Sequence, residues 1–449
     1  MNERWKIFDR FETQKDWVEK RVSEGIEKYR KGDIEITVID KDGKPLPNAT
    51  VRICQKDHEF KFGANLFMLD EFESQEKNEQ YKQAFTEVFN MATLPFYWNA
   101  TEPQKGKTRY AKDSEKLYRR PPIDLCIEFC EQNGIEPREH ALAYEKAFPK
   151  WLYDQPVDVI KKELERRYQE ISSRYADKIP TIEVTNEMCW WDGKTAFYNE
   201  PDYVEWCFKL AEKYFPNNQL VINEYAGEAF ERAPRTTTAY YAYTENAMLK
   251  GARIDAIGMQ AHFFFRRENE YQMSRPLLDP ENLFAKLDMY ARFGKPLQIT
   301  EATFSAYSWE DEDEQIQAKV LECLYSLWFS HPNMEQIVYW NLVDGYAHVE
   351  GNDPQKIRQT QGDMTVGENY YYGGLLRFDM SKKPAYYKLK ELTQKVWHTE
   401  ISGKTDALGN LSTRGFYGNY QVQITANGKT VCTTINHSKK SNGKFQITL

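Results

Sequence analysis

The chain has 449 residues and a net charge of −8, with acidic and basic residues mixed along its length. This distribution has no basic stripe, which argues against nucleic acid or an anionic membrane surface as a partner. No apolar run approaches the roughly 20 residues of a membrane span, and the N-terminus has no apolar signal core, so we expect a cytoplasmic protein, or a secreted one if a leader has been removed.

The first segment, residues 1–30, is predicted to be a polar helix with apolar positions such as Trp5 and Phe8. In residues 33–56, the runs DIEITVID and ATVRICQ alternate apolar and polar residues on either side of DGKPLPN, a pattern that predicts a β-hairpin. We therefore assign residues 1–58 to an N-terminal helix and β-hairpin extension.

From about residue 60 onward, short apolar strands alternate with helical stretches, which is typical of a parallel sheet built from βαβ units. Eight strands are predicted, at Phe60–Phe67, Met91–Tyr97, Pro137–Tyr144, Thr181–Glu187, Leu220–Tyr225, Ala256–Phe263, Leu297–Phe304 and Gln336–Asp344. Helices are predicted at Ile123–Asn133, Val157–Tyr175, Asp202–Tyr214, Thr237–Lys250, Pro280–Phe293, Asp313–Ser330 and Lys383–Gln394. Residues 59–397 therefore have the pattern and size of a (β/α)8 TIM barrel. A doubly wound sheet is the alternative, but no glycine-rich fingerprint follows an early strand.

The remaining residues, 398–449, are rich in Gly, Asn and Thr, with alternating Val and Ile and no helical period. This composition predicts a small antiparallel β module, and nothing in it specifies a ligand. The predicted fold class is thus α/β: a TIM barrel with an N-terminal helix and β-hairpin extension and a C-terminal β module.

Several predicted barrel strands end in polar residues. In a TIM barrel the carboxyl ends of the strands line the active site, so polar groups there are candidates for chemistry. The candidates are His140 with Tyr144, Asn186 with Glu187, Asn223 with Glu224 and Tyr225, Gln260 with His262, Glu301, and Trp340 with Asn341 and Asp344. These endings predict a polar pocket that closes an otherwise apolar barrel.

Two of these residues, Glu187 and Glu301, are glutamates at the ends of the fourth and seventh strands. A pair of carboxyl groups can cleave a glycosidic bond, because one protonates the departing oxygen while the other attacks the anomeric carbon. Burial and a neighbouring carboxylate would keep the acid protonated near neutral pH. The alternative is structural, since either glutamate could pair with an arginine of the core.

Motifs along residues 30–395 carry a family resemblance. They include FKFGANLF in the first strand, QNGIEPREHALAY in the third, VTNEM in the fourth, INEY in the fifth, IDAIGMQAHF in the sixth, QITEATF in the seventh, and IVYWNLVD followed by KKPAYYKL. In this order they resemble glycoside hydrolase family 10, whose typical members are endo-β-1,4-xylanases. The resemblance implies a retaining hydrolase that cleaves internal β-1,4-xylosidic bonds of xylan or decorated xylan.

The resemblance also implies roles for the catalytic pair. Glu187 would be the general acid/base and Glu301 the nucleophile. Asn186 would hydrogen-bond the 2-hydroxyl of the sugar in the cleavage subsite, an interaction that strengthens in the transition state.

Further matching positions imply support and substrate contacts. His262 would orient Glu301 and keep it ionised, with Gln260 alongside. His140 would hydrogen-bond the same sugar, and Trp340 would cover it. The alternative for both histidines is a hydrogen-bonded histidine of the barrel core.

The chain departs from the family at the positions that would bind the sugar one place beyond the cleavage subsite. Trp98 is kept, but Tyr97 stands where the family has a lysine, and the family's Glu-Asn pair is absent. Tyr144 and Glu145 replace a Trp and a His, and Ala347-His348 replaces Ser-Trp. We expect the chemistry of the family with a rebuilt grip that includes Trp98 and Tyr144, and another β-linked glycan is the alternative substrate.

Two other classes of protein, and a few other residues, are alternatives to this interpretation. A metal-dependent barrel hydrolase would need clustered His ligands, which the first strand lacks, and the seven scattered cysteines indicate free thiols, so we expect no metal and no cofactor. A non-catalytic sugar-binding barrel is disfavoured because both glutamates are present.

Glu224 is a minor alternative as proton donor. Aromatic platforms for sugar, or packing under loops, are alternatives for Trp151, Trp190 and Trp191.

Overall fold

The computed structural model describes residues 3–189, 193–230, 238–351 and 354–449. The segment predicted as one polar helix is divided into a 3-10 helix and two α-helices, at Glu3–Phe8, Asp9–Thr13 and Lys15–Tyr29. Its apolar side chains face the barrel: Phe8 and Phe11 are buried, and the Trp17 ring meets the edge of the Phe284 ring with centroids 5.5 Å apart. Arg30 follows and donates hydrogen bonds from its buried side chain to the carbonyls of Phe329 and His331. The segment therefore packs against the outer helices of the barrel.

Two strands, β1 (Lys31–Ile39) and β2 (Thr50–His58), precede a closed barrel of eight parallel strands. The barrel strands are β3 (Lys61–Asn65), β4 (Met91–Pro95), β5 (Glu136–His140), β6 (Thr181–Asn186), β7 (Gln219–Glu224), β8 (Ala256–His262), β9 (Leu297–Thr303) and β10 (Met334–Tyr339). They pair in chain order, and β10 closes the ring on β3 with Gln336 opposite Lys61. Every residue of β4, β6, β8 and β9 is buried, as expected for parallel strands covered on both faces. The TIM barrel is confirmed, and a doubly wound open sheet is excluded.

Helices surround the barrel. The long ones are Gln75–Val88, Ile123–Asn133, Val157–Tyr175, Tyr203–Tyr214, Ala239–Leu249, Pro280–Ala291, Asp311–Ser330 and Pro384–Glu391, the last continuing as a π-helix at Leu392–Val396. Short α-helices lie at Trp98–Thr101, Ala226–Ala229, Glu270–Met273, Arg275–Leu278 and Pro354–Arg358, and short 3-10 turns at Glu145–Ala147, Lys150–Leu152, Ala196–Asn199, Arg267–Asn269 and Gly367–Tyr371. Among the described residues, no helix combines the length and apolar character needed to cross a membrane.

One long helix, Gln75–Val88, was not predicted from the sequence. Its first turns are polar, and its buried apolar face is confined to the C-terminal half, where Tyr81, Ala84, Phe85 and Val88 recur at helical spacing. Ser74 caps the helix by accepting a hydrogen bond from the backbone N–H of Lys77 at 3.2 Å. The cap and the short apolar stripe were the available signals.

The C-terminal residues form five strands: β11 (Glu400–Lys404), β12 (Asn410–Phe416), β13 (Gly418–Ala426), β14 (Lys429–His437) and β15 (Lys444–Thr448). They join β1 and β2 in two sheets, one with the order β12-β1-β15 and the other with the order β11-β2-β13-β14. A shared apolar cluster packs between the sheets and contains Ile34, Ile36, Val51, Ile53, Val422 and Ile424. The two ends of the chain therefore build one two-layered β structure beside the barrel.

The predicted β-hairpin in residues 33–56 is wrong, although both strands exist. β1 pairs with β12 and β15, while β2 pairs with β11 and β13 in the other sheet. Apolar alternation shows that each strand has one buried face, but it does not identify the strand beside it. We propose that residues 31–58 and 398–449 form one unit, in place of a separate extension and module.

Candidate active site

Most of the predicted site residues meet at the carboxyl-terminal mouth of the barrel. The positions at or directly after strand ends are His140 in β5, Asn186 and Glu187 at β6, Gln260 and His262 in β8, Glu301 in β9 and Trp340 after β10. All are buried except Glu187, which is partly exposed. The strand ends converge because the eight strands are parallel and run toward the same end of the barrel.

The two candidate carboxyl groups share a hydrogen-bond donor. Gln260 Nε2 lies 3.2 Å from Glu187 Oε1 and 3.2 Å from Glu301 Oε1, and 3.3 Å from Asn186 Oδ1. These two carboxylate oxygens are therefore separated by no more than twice 3.2 Å. This limit applies to one oxygen of each group, and it accommodates the roughly 5–5.5 Å separation of retaining glycosidases.

Glu187 is aimed across the mouth by a turn of the backbone. Its φ is +54°, in the left-handed region, and its N–H donates to the carbonyl of Asn223 at 3.1 Å. Lys146 Nζ donates to Glu187 Oε2 at 2.7 Å, and the Tyr144 phenol also hydrogen-bonds this carboxyl group. Sequence reasoning missed Lys146, since a lysine in a loop carries no signal of its own.

Glu301 is enclosed by protein. Burial raises the pKa of its carboxyl group to about 8, the carboxylates of Glu183 and Glu187 act in the same direction, and the positive charge of His140 opposes them. Gln260 Nε2 lies 3.2 Å from Glu301 Oε1, and His262 Nε2 lies 3.1 Å from Glu301 Oε2. Burial therefore favours the protonated form of Glu301, while the N–H donors favour its carboxylate form.

His262 is a neutral histidine in this arrangement. Burial lowers its pKa to about 4. Its Nδ1 lies 3.0 Å from Thr303 Oγ1 and its Nε2 lies 3.1 Å from Glu301 Oε2; the tautomer with hydrogen on Nε2 is the one that can donate to the Glu301 carboxylate. The role of His262 in orienting Glu301 stays a prediction, and the two side chains lie within hydrogen-bond distance.

A buried chain of charges lies beneath the pair. Glu183 accepts hydrogen bonds from Arg138 and from His140 Nδ1, the latter at 2.8 Å. Burial disfavours the charged form of His140, but the Glu183 carboxylate outweighs burial and raises the pKa of His140. Burial also disfavours the Glu183 carboxylate, but His140 and Arg138 outweigh burial and lower the pKa of Glu183. His140 Nε2 then donates to Tyr97 Oη at 3.0 Å and lies 3.9 Å from Glu301 Oε1. Arg138 and Glu183 were not predicted.

Asn223 joins this chain to the carboxyl pair. Its amide nitrogen lies 3.0 Å from Asn186 Oδ1, 3.2 Å from Glu183 Oε1 and 3.5 Å from Glu301 Oε1. Thr300 fixes the amide by donating to Asn223 Oδ1 at 2.6 Å. Asn223 therefore supports the site from the fifth barrel strand.

One group of side chains is close enough to hold a cation. Ligand atoms of His140, Glu183 and Glu301 lie within 4.8 Å of one another. Arg138 and the raised pKa of His140 already supply positive charge to Glu183. The three residues therefore form an ion-pair chain, in which a metal ion would compete with Arg138 and His140.

An aromatic wall, consisting of Phe67, Tyr97 and Trp340, flanks the carboxyl pair. The Phe67 ring centroid lies 5.0 Å from that of Trp340 and 5.7 Å from that of Tyr97, and Trp340 lies 5.5 Å from His140. Tyr144 packs against the same cluster, 6.1 Å from Tyr97. Tyr97 thus lies in this wall beside His140.

Trp98 is not brought into this wall. It is 1% exposed and packs in the main core against Phe148 and Trp151, and its Nε1 donates to Glu102 Oε2 at 2.9 Å. The helix at Trp98–Thr101 turns the indole away from the mouth. Trp151 is partly buried in the same packing, while Trp190 and Trp191 lie outside the described residues.

Glu224, the minor alternative as proton donor, is held by the backbone. It accepts hydrogen bonds from the N–H groups of Cys189 at 2.9 Å and Tyr225 at 2.8 Å. Burial raises its pKa to about 7, and each of its carboxylate oxygens accepts one of these two bonds. The geometry favours Glu187 over Glu224 as the partner of Glu301.

Several known proteins are similar to this chain at low sequence identity. Anti-sigma-I factor RsgI6 of Acetivibrio thermocellus is 24% identical over 436 residues, which cover 96% of this chain and 50% of that protein. Endo-1,4-beta-xylanase 1 of Arabidopsis thaliana is 23% identical over 435 residues, which cover 95% of this chain and 40% of that protein. The chain therefore spans half or less of the length of these curated relatives.

Solved structures share the fold. Native xylanase 10B from Thermotoga maritima has a TM-score of 0.57 and 20% identity, over 75% of this chain and 96% of that one. Xylanase 10B from Thermotoga petrophila RKU-1, in complex with xylobiose, has a TM-score of 0.57 and 19% identity, over 75% and 95% of the two chains. The sequence model of glycosyl hydrolase family 10 matches residues 55–391, well over half of the chain. The chain belongs to glycosyl hydrolase family 10.

Proposed function

We propose that this protein is a retaining glycoside hydrolase that cleaves internal β-1,4-xylosidic bonds of xylan or decorated xylan. The observation that carries the proposal is the carboxyl pair, in which Glu187 and Glu301 each lie 3.2 Å from the same nitrogen of Gln260. Such a pair is close enough for one carboxylate to attack the sugar directly, without a water between them.

The reaction has two balanced steps. In the first, the Glu301 carboxylate bonds to the anomeric carbon while the glycosidic C–O bond breaks and Glu187 gives its proton to the departing oxygen. In the second, Glu187 takes a proton from water as the water oxygen attacks the anomeric carbon, and Glu301 leaves as a carboxylate. Retention of configuration follows from two inversions.

Neighbouring groups assist each step. His262 and Gln260 donate to Glu301 and favour its carboxylate, which must be ionised to attack. Asn186 is held by Asn223 and Gln260 with its amide at the mouth, suited to bind the 2-hydroxyl of the reacting sugar. Trp340 and His140 border the same space, and His140 Nε2 lies 3.9 Å from Glu301 Oε1.

Xylan is the substrate class because relatives of this chain are named endo-1,4-beta-xylanases. Another β-linked glycan is the second candidate substrate. The observation in its favour is Tyr97, which stands where the family has a sugar-binding lysine and whose hydroxyl group hydrogen-bonds His140 instead. A non-catalytic carbohydrate-binding barrel is disfavoured, since both carboxyl groups are present and share one donor.

The test is chemical rescue of Glu301→Ala. We expect hydrolysis of a panel of β-glycans by the wild type, loss of turnover in Glu301→Ala, and partial recovery with azide, which would give a product of inverted anomeric configuration. Glu335→Ala is a matched control, because Glu335 begins β10 at the opposite end of the barrel. Near wild-type activity of Glu301→Ala, or no rescue in a variant that unfolds like the wild type, would remove Glu301 as nucleophile.

A further inference from the structure

Arg120 lies against the aromatic wall, beside the candidate active site. Its guanidinium carbon is 4.0 Å from the centroid of the Tyr97 ring and 5.3 Å from that of the Phe67 ring. The residue comes from the long loop between β4 and the helix Ile123–Asn133, and it is partly exposed. Stacking on Tyr97 fixes the plane of the guanidinium group and leaves its N–H edge for hydrogen bonds.

Among the described residues, Arg120 forms no salt bridge, although the carboxylate of Glu368 acts on its charge. Its hydrogen bond is from Nη1 to the carbonyl oxygen of Arg119, at 2.8 Å. The neighbouring Arg119, by contrast, is satisfied, with donors 2.8 Å from Asn341 Oδ1 and 2.5 Å from the carbonyl of Tyr346. An enclosed cation is ordinarily paired, because removing it from water is costly without a compensating anion.

Charged residues of both signs act on this region: Arg119 and Lys146 are basic, while Glu368 and Glu350 are acidic. His348 is accessible to solvent within the cleft, yet enclosure by protein atoms lowers its pKa to about 4, and the charges of Arg119, Arg120 and Lys146 act in the same direction. Burial likewise lowers the pKa of Arg120 itself, to about 10, with Arg119 adding to the effect, so it remains charged at neutral pH. Arg120 therefore stays charged, and among the described residues none of the nearby carboxylates forms an ion pair with it.

We propose that Arg120 binds a carboxylate of the substrate, so that the preferred substrate is an acidic glycan whose β-linked chain carries uronic acid groups. The inference rests on the proposed function, because it places the uronic acid beside the aromatic wall of the same cleft. A guanidinium fork matches the two oxygens of a carboxylate, and such charge-assisted pairs are stronger than neutral hydrogen bonds. Recognition by Arg120 must be local, since the net charge of the whole protein repels an acidic polymer.

The experiment compares glucuronoxylan with the same polymer after chemical reduction of its carboxyl groups. The wild type should have a kcat/KM at least about tenfold higher on the acidic polymer, because a charge-assisted hydrogen bond contributes on that scale. This preference should shrink as salt is raised, and it should fall to about onefold in Arg120→Gln. Arg120→Lys should keep part of it. Arg10→Gln, which removes the same charge from an exposed position on the N-terminal helices, should keep all of it.

The outcomes separate the two proposals. Equal cleavage of both polymers by the wild type, or a full preference in a folded Arg120→Gln variant, would overturn the role of Arg120 and leave the proposed function standing. Cleavage of neither polymer would overturn both. If Arg120→Gln fails to fold, the wild-type preference and its salt dependence still decide, since a neutral grip would give neither.

Discussion

Gln260 offers the sharpest test of the paired carboxyl groups. One amide nitrogen serves three acceptors, lying 3.2 Å from Glu187, 3.2 Å from Glu301 and 3.3 Å from Asn186. Gln260→Met keeps the length of the side chain but removes the donor. The variant should therefore retain the barrel and lose the link between the carboxyl groups.

The expected loss follows from these contacts. A hydrogen bond to a charged group contributes about 1.5–3 kcal/mol, and a tenfold change in rate corresponds to about 1.4 kcal/mol. We expect kcat/KM to fall by about 10- to 100-fold. Removing an N–H donor also destabilises the Glu301 carboxylate, so its pKa rises above the value of about 8 that burial and the neighbouring carboxylates produce. Since Glu301 attacks only when ionised, the acid limb of the kcat/KM profile should move to higher pH.

The assay is a pH profile of kcat/KM for the wild type, Gln260→Met and a matched control. Gln298→Met is that control: Gln298 is equally buried on the neighbouring strand β9, but its amide donates to Gln219 at 3.0 Å and Glu335 at 2.6 Å near the other end of the barrel. It should lower the melting temperature without moving the acid limb. Activity of Gln260→Met within twofold of wild type, with an unshifted limb, would refute the reasoning.

Two further predictions concern stability. Burial disfavours the Glu87 carboxylate, but hydrogen bonds from Lys382 and Lys390 outweigh burial and lower the pKa of Glu87 to about 2. The stability that such a carboxylate contributes is present above its ordinary pKa of 4.5 and is lost as the pH falls toward 2. The melting temperature of Glu87→Gln should therefore lie below that of the wild type at pH 6 and converge with it in acid. A gap independent of pH would contradict this. Deletion of residues 398–449 removes every sheet partner of β1 and β2, so the truncated protein should bind a hydrophobic dye and aggregate; a monomer with an unchanged melting temperature would contradict the proposed shared unit.

The barrel could be predicted from the sequence because its signals are periodic. The helix Val157–Tyr175 has the predicted bounds, with Ile160, Leu164 and Ile171 on one buried face, and its length separates it from the strands around it. The strands β6 and β9 are short and wholly buried, and apolar residues recur at every second position, at Ile182 and Val184 in β6 and at Leu297 and Ile299 in β9. The pairing of β1 could not be predicted, because its partners are nearly the whole chain away.

The interior charges of the barrel were hidden for a different reason. Arg138 and Glu183 stand in the middle of strands, where a charged residue usually indicates a face in water. Both are 0% exposed, because each neutralises the other and His140 completes the chain. A single sequence cannot show that two charges 45 residues apart meet inside a barrel.

The catalytic pair and the substrate grip differ in how far the sequence could predict them. Glu187 and Glu301 are placed by β6 and β9, whose positions follow from periodic patterns, so their meeting at one mouth is a consequence of parallel strands. Lys146 and Arg120 come from loops, whose conformations have no period, and they reach the same mouth by contacts that only the folded chain reveals. A change of loop sequence can therefore alter which glycan is held without moving the carboxyl groups. The family motifs therefore predict the residues proposed for the bond-breaking step, whereas the loops after β4 and β5 hold residues proposed to recognise substituents of the glycan.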